Sequence, residues 1–141
     1  RFFRQLRQAG IAVDARGDFN DPRLHGEDRT QLLNRVKIFL NFPKSGGELS
    51  GLRNLIGMAN KTMLISEPIY RPEPYIPGVH LEMCPVEEMP DLIRHYLKHE
   101  DQRLAMVERA YRFATTEMLF GDKARDMLRL IQRAVDRRQR G

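Results

Sequence analysis

Apolar positions along the chain change period repeatedly. Phe2, Phe3, Leu6 and Ala9 space as one face of a short helix that Gly10 ends. Ile11-Ala12-Val13 then reads as a short strand running into the polar turn Asp14 to Gly17, and residues 18–27 read as loop. Thr30 to Val36 has a helical spacing, with Leu32, Leu33 and Val36 on one side. Residues 36–42, Val-Lys-Ile-Phe-Leu-Asn-Phe, read as a buried strand closed by Pro43. A glycine-rich loop follows. A helix is then expected from about Ser50 to Ala59, with Leu52, Leu55, Ile56 and Ala59 inward, before an apolar strand over 62–66.

Five prolines between positions 68 and 85 predict an irregular connection around a short strand, 79–84. Beyond residue 86 the pattern is helical. Met89, Leu92, Ile93, Tyr96 and Leu97 follow the i, i+3, i+4, i+7, i+8 spacing. His99-Glu100-Asp101 interrupts it, and Leu104, Val107, Ala110, Tyr111 and Ala114 resume it. A last helix carries Ala124, Met127, Leu128, Ile131, Ala134 and Val135. Strands alternating with helices imply parallel pairing through crossovers. The expected fold class is therefore α/β: a Rossmann-like, three-layer parallel sheet of about four strands with C-terminal helices.

Charge refines this picture. The net charge is +5 over 141 residues, and residues 123–141 alone hold seven Lys or Arg and two Asp, so the rest of the chain is neutral. A neutral body with a basic final helix does not fit a domain built around a nucleic-acid-binding face, so nucleic acid is not an expected partner. One cysteine, Cys84, excludes an intramolecular disulfide and favours a reducing, cytoplasmic compartment. No apolar run approaches the length of a membrane span. The first residue is Arg1 rather than Met, and the chain is expected to be part of a longer or a processed protein. Two regions follow: residues 1–122 as the Rossmann-like domain, lacking its first strand, and residues 123–141 as a basic helix packing on it.

In open parallel sheets, ligands bind where strand C-termini meet helix N-termini. That directs attention to residues 43–51, Pro-Lys-Ser-Gly-Gly-Glu-Leu-Ser-Gly. Glycines permit close backbone approach, and a helix starting near Ser50 offers free N–H groups and a positive dipole end to a diphosphate or carboxylate. Lys44 and Arg53 add positive charge. The same residues also fit a simpler description, in which Gly46-Gly47 makes a turn, Ser50 caps a helix and Lys44 is solvated. The standard phosphate-loop and dinucleotide glycine motifs are absent.

The segment Glu48-Leu49-Ser50-Gly51-Leu52-Arg53-Asn54-Leu55-Ile56-Gly57-Met58-Ala59, followed by the strand over 62–66, resembles the donor-binding segment of GT-B glycosyltransferases of the group 1 type. The continuation also fits: Pro-Gly-Val-His-Leu at 77–81, the Pro85 to Leu97 stretch, His-Glu-Asp-Gln-Arg at 99–103 and an arginine-rich helix. The resemblance covers most of the chain, as the C-terminal half of such an enzyme. It implies transfer of a sugar from a nucleotide-diphosphate sugar, with retention and without a metal, to an acceptor held by an N-terminal domain absent from this sequence. A fragment of this kind is not expected to be active by itself.

The resemblance places Glu48 near the sugar as the catalytic carboxylate. Donor-binding positions are Lys44, Ser45, Gly46, Gly47, Ser50, Gly51, Arg53 and Glu67. No resident cofactor and no metal site are expected. One departure stands out: the family's second carboxylate, which commonly contacts the donor ribose, falls on Ile56, which cannot accept a hydrogen bond. Glu67, just after a strand, is a candidate substitute. The alternative is a degenerate, non-catalytic domain of the same fold used for interaction or assembly.

Other residues have plainer readings beside functional ones. His80 reads as a strand histidine with a backbone partner, or a donor to a sugar hydroxyl. His95 and His99 lie i, i+4 with no third metal ligand, and Cys84 reads as a buried, inert thiol. Tyr70, Arg71 and Tyr75 either stack on a base, form a lid or pin the proline-rich connection. Arg125, Arg129, Arg133 and Arg137 lie opposite the apolar stripe of the last helix, either as a solvated face or as a contact to an anionic membrane surface.

Overall fold

The computed structural model describes residues 2–15, 21, 24–43 and 51–139. Their elements run α1 (Phe2–Gln8), α2 (Gly26–Leu33), β1 (Ile38–Asn41), α3 (Gly51–Ala59), β2 (Met63–Ser66), β3 (Glu82–Met83), α4 (Met89–Lys98), α5 (Glu100–Arg112), a π-helical turn (Phe113–Glu117) and α6 (Phe120–Gln139). The strands form one parallel sheet in the order β1-β2-β3. Ile38 through Asn41 pair with Met63 through Ser66, and Ile65 and Ser66 pair with Glu82 and Met83. The class is Rossmann-like α/β, as expected.

β2 is the central strand and is buried along its whole length. Its alternation sorts two cores. Met63 and Ile65 face a cluster with Leu6, Met89, Ile93 and Tyr96, from α1 and α4. Leu64 faces the opposite cluster, with Met58 of α3, Ala110 of α5, and Phe113. Helices therefore cover both faces, which is why Met63, Leu64 and Ile65 are all apolar. Each fully buried side chain of this kind contributes roughly 1.5–3 kcal/mol.

Four local readings are corrected. Residues 11–13 form no strand. Gly10, at φ 77°, ends α1 in a left-handed turn, in which the N–H of Ile11 donates to the carbonyl of Leu6 and that of Gly10 to Arg7. Ile11 is buried beside Leu6 as the apolar partner of this helix stop. The second helix begins earlier than predicted, at Gly26, and the strand expected over 79–84 shrinks to Glu82–Met83. On α3 the inner face is Asn54, Gly57 and Met58, whereas Leu52 is 75% exposed and Ala59 is exposed. Gly57 is inward because a Cβ there would stand 2.9 Å from Leu64 Cδ1 and 3.1 Å from Phe39 Cδ1, so the helix lies directly on the sheet.

The predicted helices near the C-terminus are present. α4 takes Pro90 in its first turn, where no intrahelical N–H is needed. α6 has the expected apolar stripe, but the stripe is uncovered: Phe120, Met127, Leu128, Leu130, Ile131 and Val135 are all exposed. Its polar side is laced by Arg125–Asp122 and Arg129–Asp126 ion pairs.

Candidate functional site at the strand ends

The C-terminal ends of β1 and β2 carry polar residues at the last position of otherwise apolar strands. Asn41 and Ser66 face each other in register and are fully buried. Asn41 Nδ2 donates to Ser66 Oγ at 3.0 Å, which fixes the amide so that Oδ1 points to the other side. Arg53 Nη1 donates to that Oδ1 at 3.0 Å and to the carbonyl of Phe42 at 3.2 Å. The guanidinium is thus clamped over the strand ends, close to the first turn of α3. Its remaining nitrogens have no partner among the described residues.

Glu67 follows Ser66 immediately. Its N–H donates to the carbonyl of Asn41 at 3.3 Å, and its side chain is half-buried at the same sheet edge. Gly51, the first residue of α3, accepts a hydrogen bond from the Tyr75 hydroxyl at 2.9 Å. Asn54, one turn into α3, is fully buried, and neither side-chain polar atom has a hydrogen-bond partner among the described residues. A buried amide without partners forfeits roughly 1–3 kcal/mol, so its retention beside this site is an observation that packing does not account for.

Of the residues predicted to bind or act on a donor, Gly51, Arg53 and Glu67 are brought together at the C-terminal edge of the sheet. Lys44, Ser45, Gly46, Gly47, Glu48 and Ser50 lie outside the described residues. Asn41 and Ser66 are not singled out by sequence reasoning, whereas Tyr75 is read there as a base-stacking, lid or loop-pinning residue. The available signal was a polar side chain closing an apolar strand run, Leu40-Asn41 and Ile65-Ser66. Ile56 is half-buried, on the side of α3 that also carries exposed Leu52 and Ala59 rather than in the core.

The remaining candidates take plain roles. His80 is buried in a turn rather than a strand. Its Nδ1 accepts the N–H of Ile76 at 3.2 Å, and its ring stacks on Phe113 at 4.2 Å. Burial, with a smaller effect from nearby Arg109, pushes its pKa down, while Glu117 opposes the shift. Burial likewise pushes the Cys84 thiol up, helped by Glu88 and Glu82, as expected for an inert thiol. His95 and His99 stack on each other at 4.3 Å, and His95 Nε2 pairs with Gln102. Among the described residues no group of three or more His, Cys, Asp or Glu side chains is placed to hold a metal. Tyr70 is exposed with Arg71 beside its ring, whereas Tyr75 is buried.

A parallel sheet covered by helices on both faces, whose strand ends meet the start of α3, defines the chain as a Rossmann-like domain, and the carboxyl edge is where such folds place ligands. A family described as glycosyl transferase-like matches residues 1–129, and the chain belongs to that family. No curated protein and no solved structure matches it.

Proposed function

We propose that this chain is the nucleotide-sugar-binding half of a glycosyltransferase, moving a sugar from a nucleotide-diphosphate donor to an acceptor with retention of anomeric configuration. One observation carries this reading: Arg53, in a chain of this family, is held by Asn41 and Phe42 at the edge where strand ends and the start of α3 converge.

In such a transfer the anomeric carbon–oxygen bond to the diphosphate breaks while a bond to the acceptor oxygen forms. Negative charge grows on the leaving diphosphate and positive charge on the sugar ring. A fixed guanidinium and the amides opening α3 suit the first demand without a metal. Glu48 is assigned to the sugar, with Lys44, Ser45, Gly46, Gly47 and Ser50 lining the diphosphate. Glu67, half-buried beside Asn41, is assigned to the ribose in place of the carboxylate that Ile56 lacks. The acceptor belongs to an N-terminal domain, and the open face of α6 is assigned to packing against it. Contact of Arg125, Arg129, Arg133 and Arg137 with an anionic membrane is less favoured, because Asp122 and Asp126 already pair with two of them.

The test is calorimetry of the complete protein with a panel of nucleoside diphosphates and their sugars. Binding of one base class that is lost in Arg53→Ala supports the reading. Absence of binding to every nucleotide overturns it and favours the second reading, a non-catalytic interaction domain, for which Ile56 at the ribose position is the supporting feature.

A further inference from the structure

Tyr75 lies in the proline-rich connection after β2 and is 3% exposed. Its backbone N–H donates to Pro72 at 2.9 Å, and its neighbour Ile76 donates to His80. Its ring meets Phe113 edge-on, with centroids 5.7 Å apart and planes at 67°. Phe113 in turn is stacked under His80. The phenol is therefore fixed from behind by its own loop and by the π-helical turn, and its one polar atom reaches forward to the carbonyl of Gly51.

A buried aromatic at this place needs no hydroxyl to pack. Phenylalanine would fill the same space without the cost of burying an O–H, which burial here makes harder to ionise. The hydroxyl earns its place only through what it bonds, and that is the first residue of α3, two positions before Arg53.

We propose that Tyr75 is a positioning residue for the donor site. Acting through the Gly51 carbonyl, it sets the first turn of α3 and hence the reach of the Arg53 guanidinium, and it ties that turn to Phe113 and the connection over 67–81. The proposal deepens the donor-site reading and rests on it for the identity of the ligand.

The experiment compares Tyr75→Phe with wild type in the complete protein, using Tyr70→Phe at the exposed neighbouring tyrosine as the control. Two readouts are taken: amide hydrogen exchange over residues 51–55 and over β2, and calorimetric affinity for uridine, guanosine, adenosine, cytidine and thymidine diphosphates. Loss of one hydrogen bond predicts exchange about threefold to tenfold faster over 51–55 with β2 unchanged, and a similar fall in diphosphate affinity, with Tyr70→Phe like wild type. Unchanged exchange over 51–55 overturns the proposal. Faster exchange with wild-type affinity overturns it too, because the turn would then be loosened without consequence for the ligand. If wild type binds no diphosphate, the donor-site reading fails by itself, and exchange over 51–55 still decides whether Tyr75 holds the turn.

Discussion

Arg53 and Asn41 form a directed pair: the guanidinium Nη1 donates to the Oδ1 of a fully buried amide whose other end is already committed to Ser66. Removing Arg53 strands that oxygen. Arg53→Ala is expected to cost about 1–3 kcal/mol in urea unfolding, besides abolishing diphosphate binding. Arg53→Lys keeps the charge but not the planar fork, and is expected to recover stability only in part, with diphosphate affinity at least about tenfold below wild type. Wild-type affinity in either variant would remove Arg53 from the site.

His80 gives the fold an acid-sensitive contact. Its Nδ1 is an acceptor in the folded chain, so the neutral ring is the bound form. Its pKa is lowered by folding, so below about pH 6.5 the unfolded chain takes up the proton first. Stability is thus expected to be full above that pH and to fall as pH drops toward the folded-state pKa. Thermal melts from pH 7.5 to 5 check this, with His80→Gln flattening the dependence. A resonance titrating at or above the free-histidine value would contradict it.

Tyr96 sets a limit at the alkaline end. Its hydroxyl donates to Glu82 Oε1 at 2.5 Å, joining α4 to β3. Burial first, and then the bond to Glu82, push its pKa up to about 12. The unfolded chain loses this proton first, so the contribution is present below about pH 10 and is lost as pH rises toward 12. Ultraviolet titration of the folded protein should show Tyr75 and Tyr96 ionising late, with the later component lost in Tyr96→Phe, a variant expected to be destabilised by about 1 kcal/mol.

Gly57 is a contact rather than a hinge. A branched side chain there has to displace Leu64 or Phe39, and Leu64 is fully buried. Gly57→Val is expected to lower stability by about 1–3 kcal/mol, with smaller loss in Gly57→Ala, where better helix propensity offsets part of the overlap. Chemical denaturation of both variants decides the order.

The sequence made some of this legible and hid the rest for identifiable reasons. β2 could be read because a central parallel strand is apolar on both faces, and α4 because one face alone is buried. The strand expected at Ile11 was a misreading of a helix stop: three apolar residues look alike whether they enter a ladder or fold back on Leu6. The inner face of α3 was misassigned because it is made of Asn54, Gly57 and Met58. Close approach to the sheet selects a missing side chain, and a count of apolar residues cannot register that. The strand–loop–helix order pointed to the carboxyl edge, and Arg53 and Glu67 lie there. Asn41 and Ser66 escaped notice because their value depends on a register that pairs residues 25 positions apart.

Among the described helices, α6 differs from the others in where its cohesion comes from. Its ion pairs are internal to the helix, at i, i+3, and none of its large apolar side chains is buried. The body of the fold therefore owes it almost nothing. Cutting the chain after Met118 is expected to leave the melting temperature nearly unchanged while improving solubility. The terminal segment is in this sense an apolar face attached to a core that packs without it.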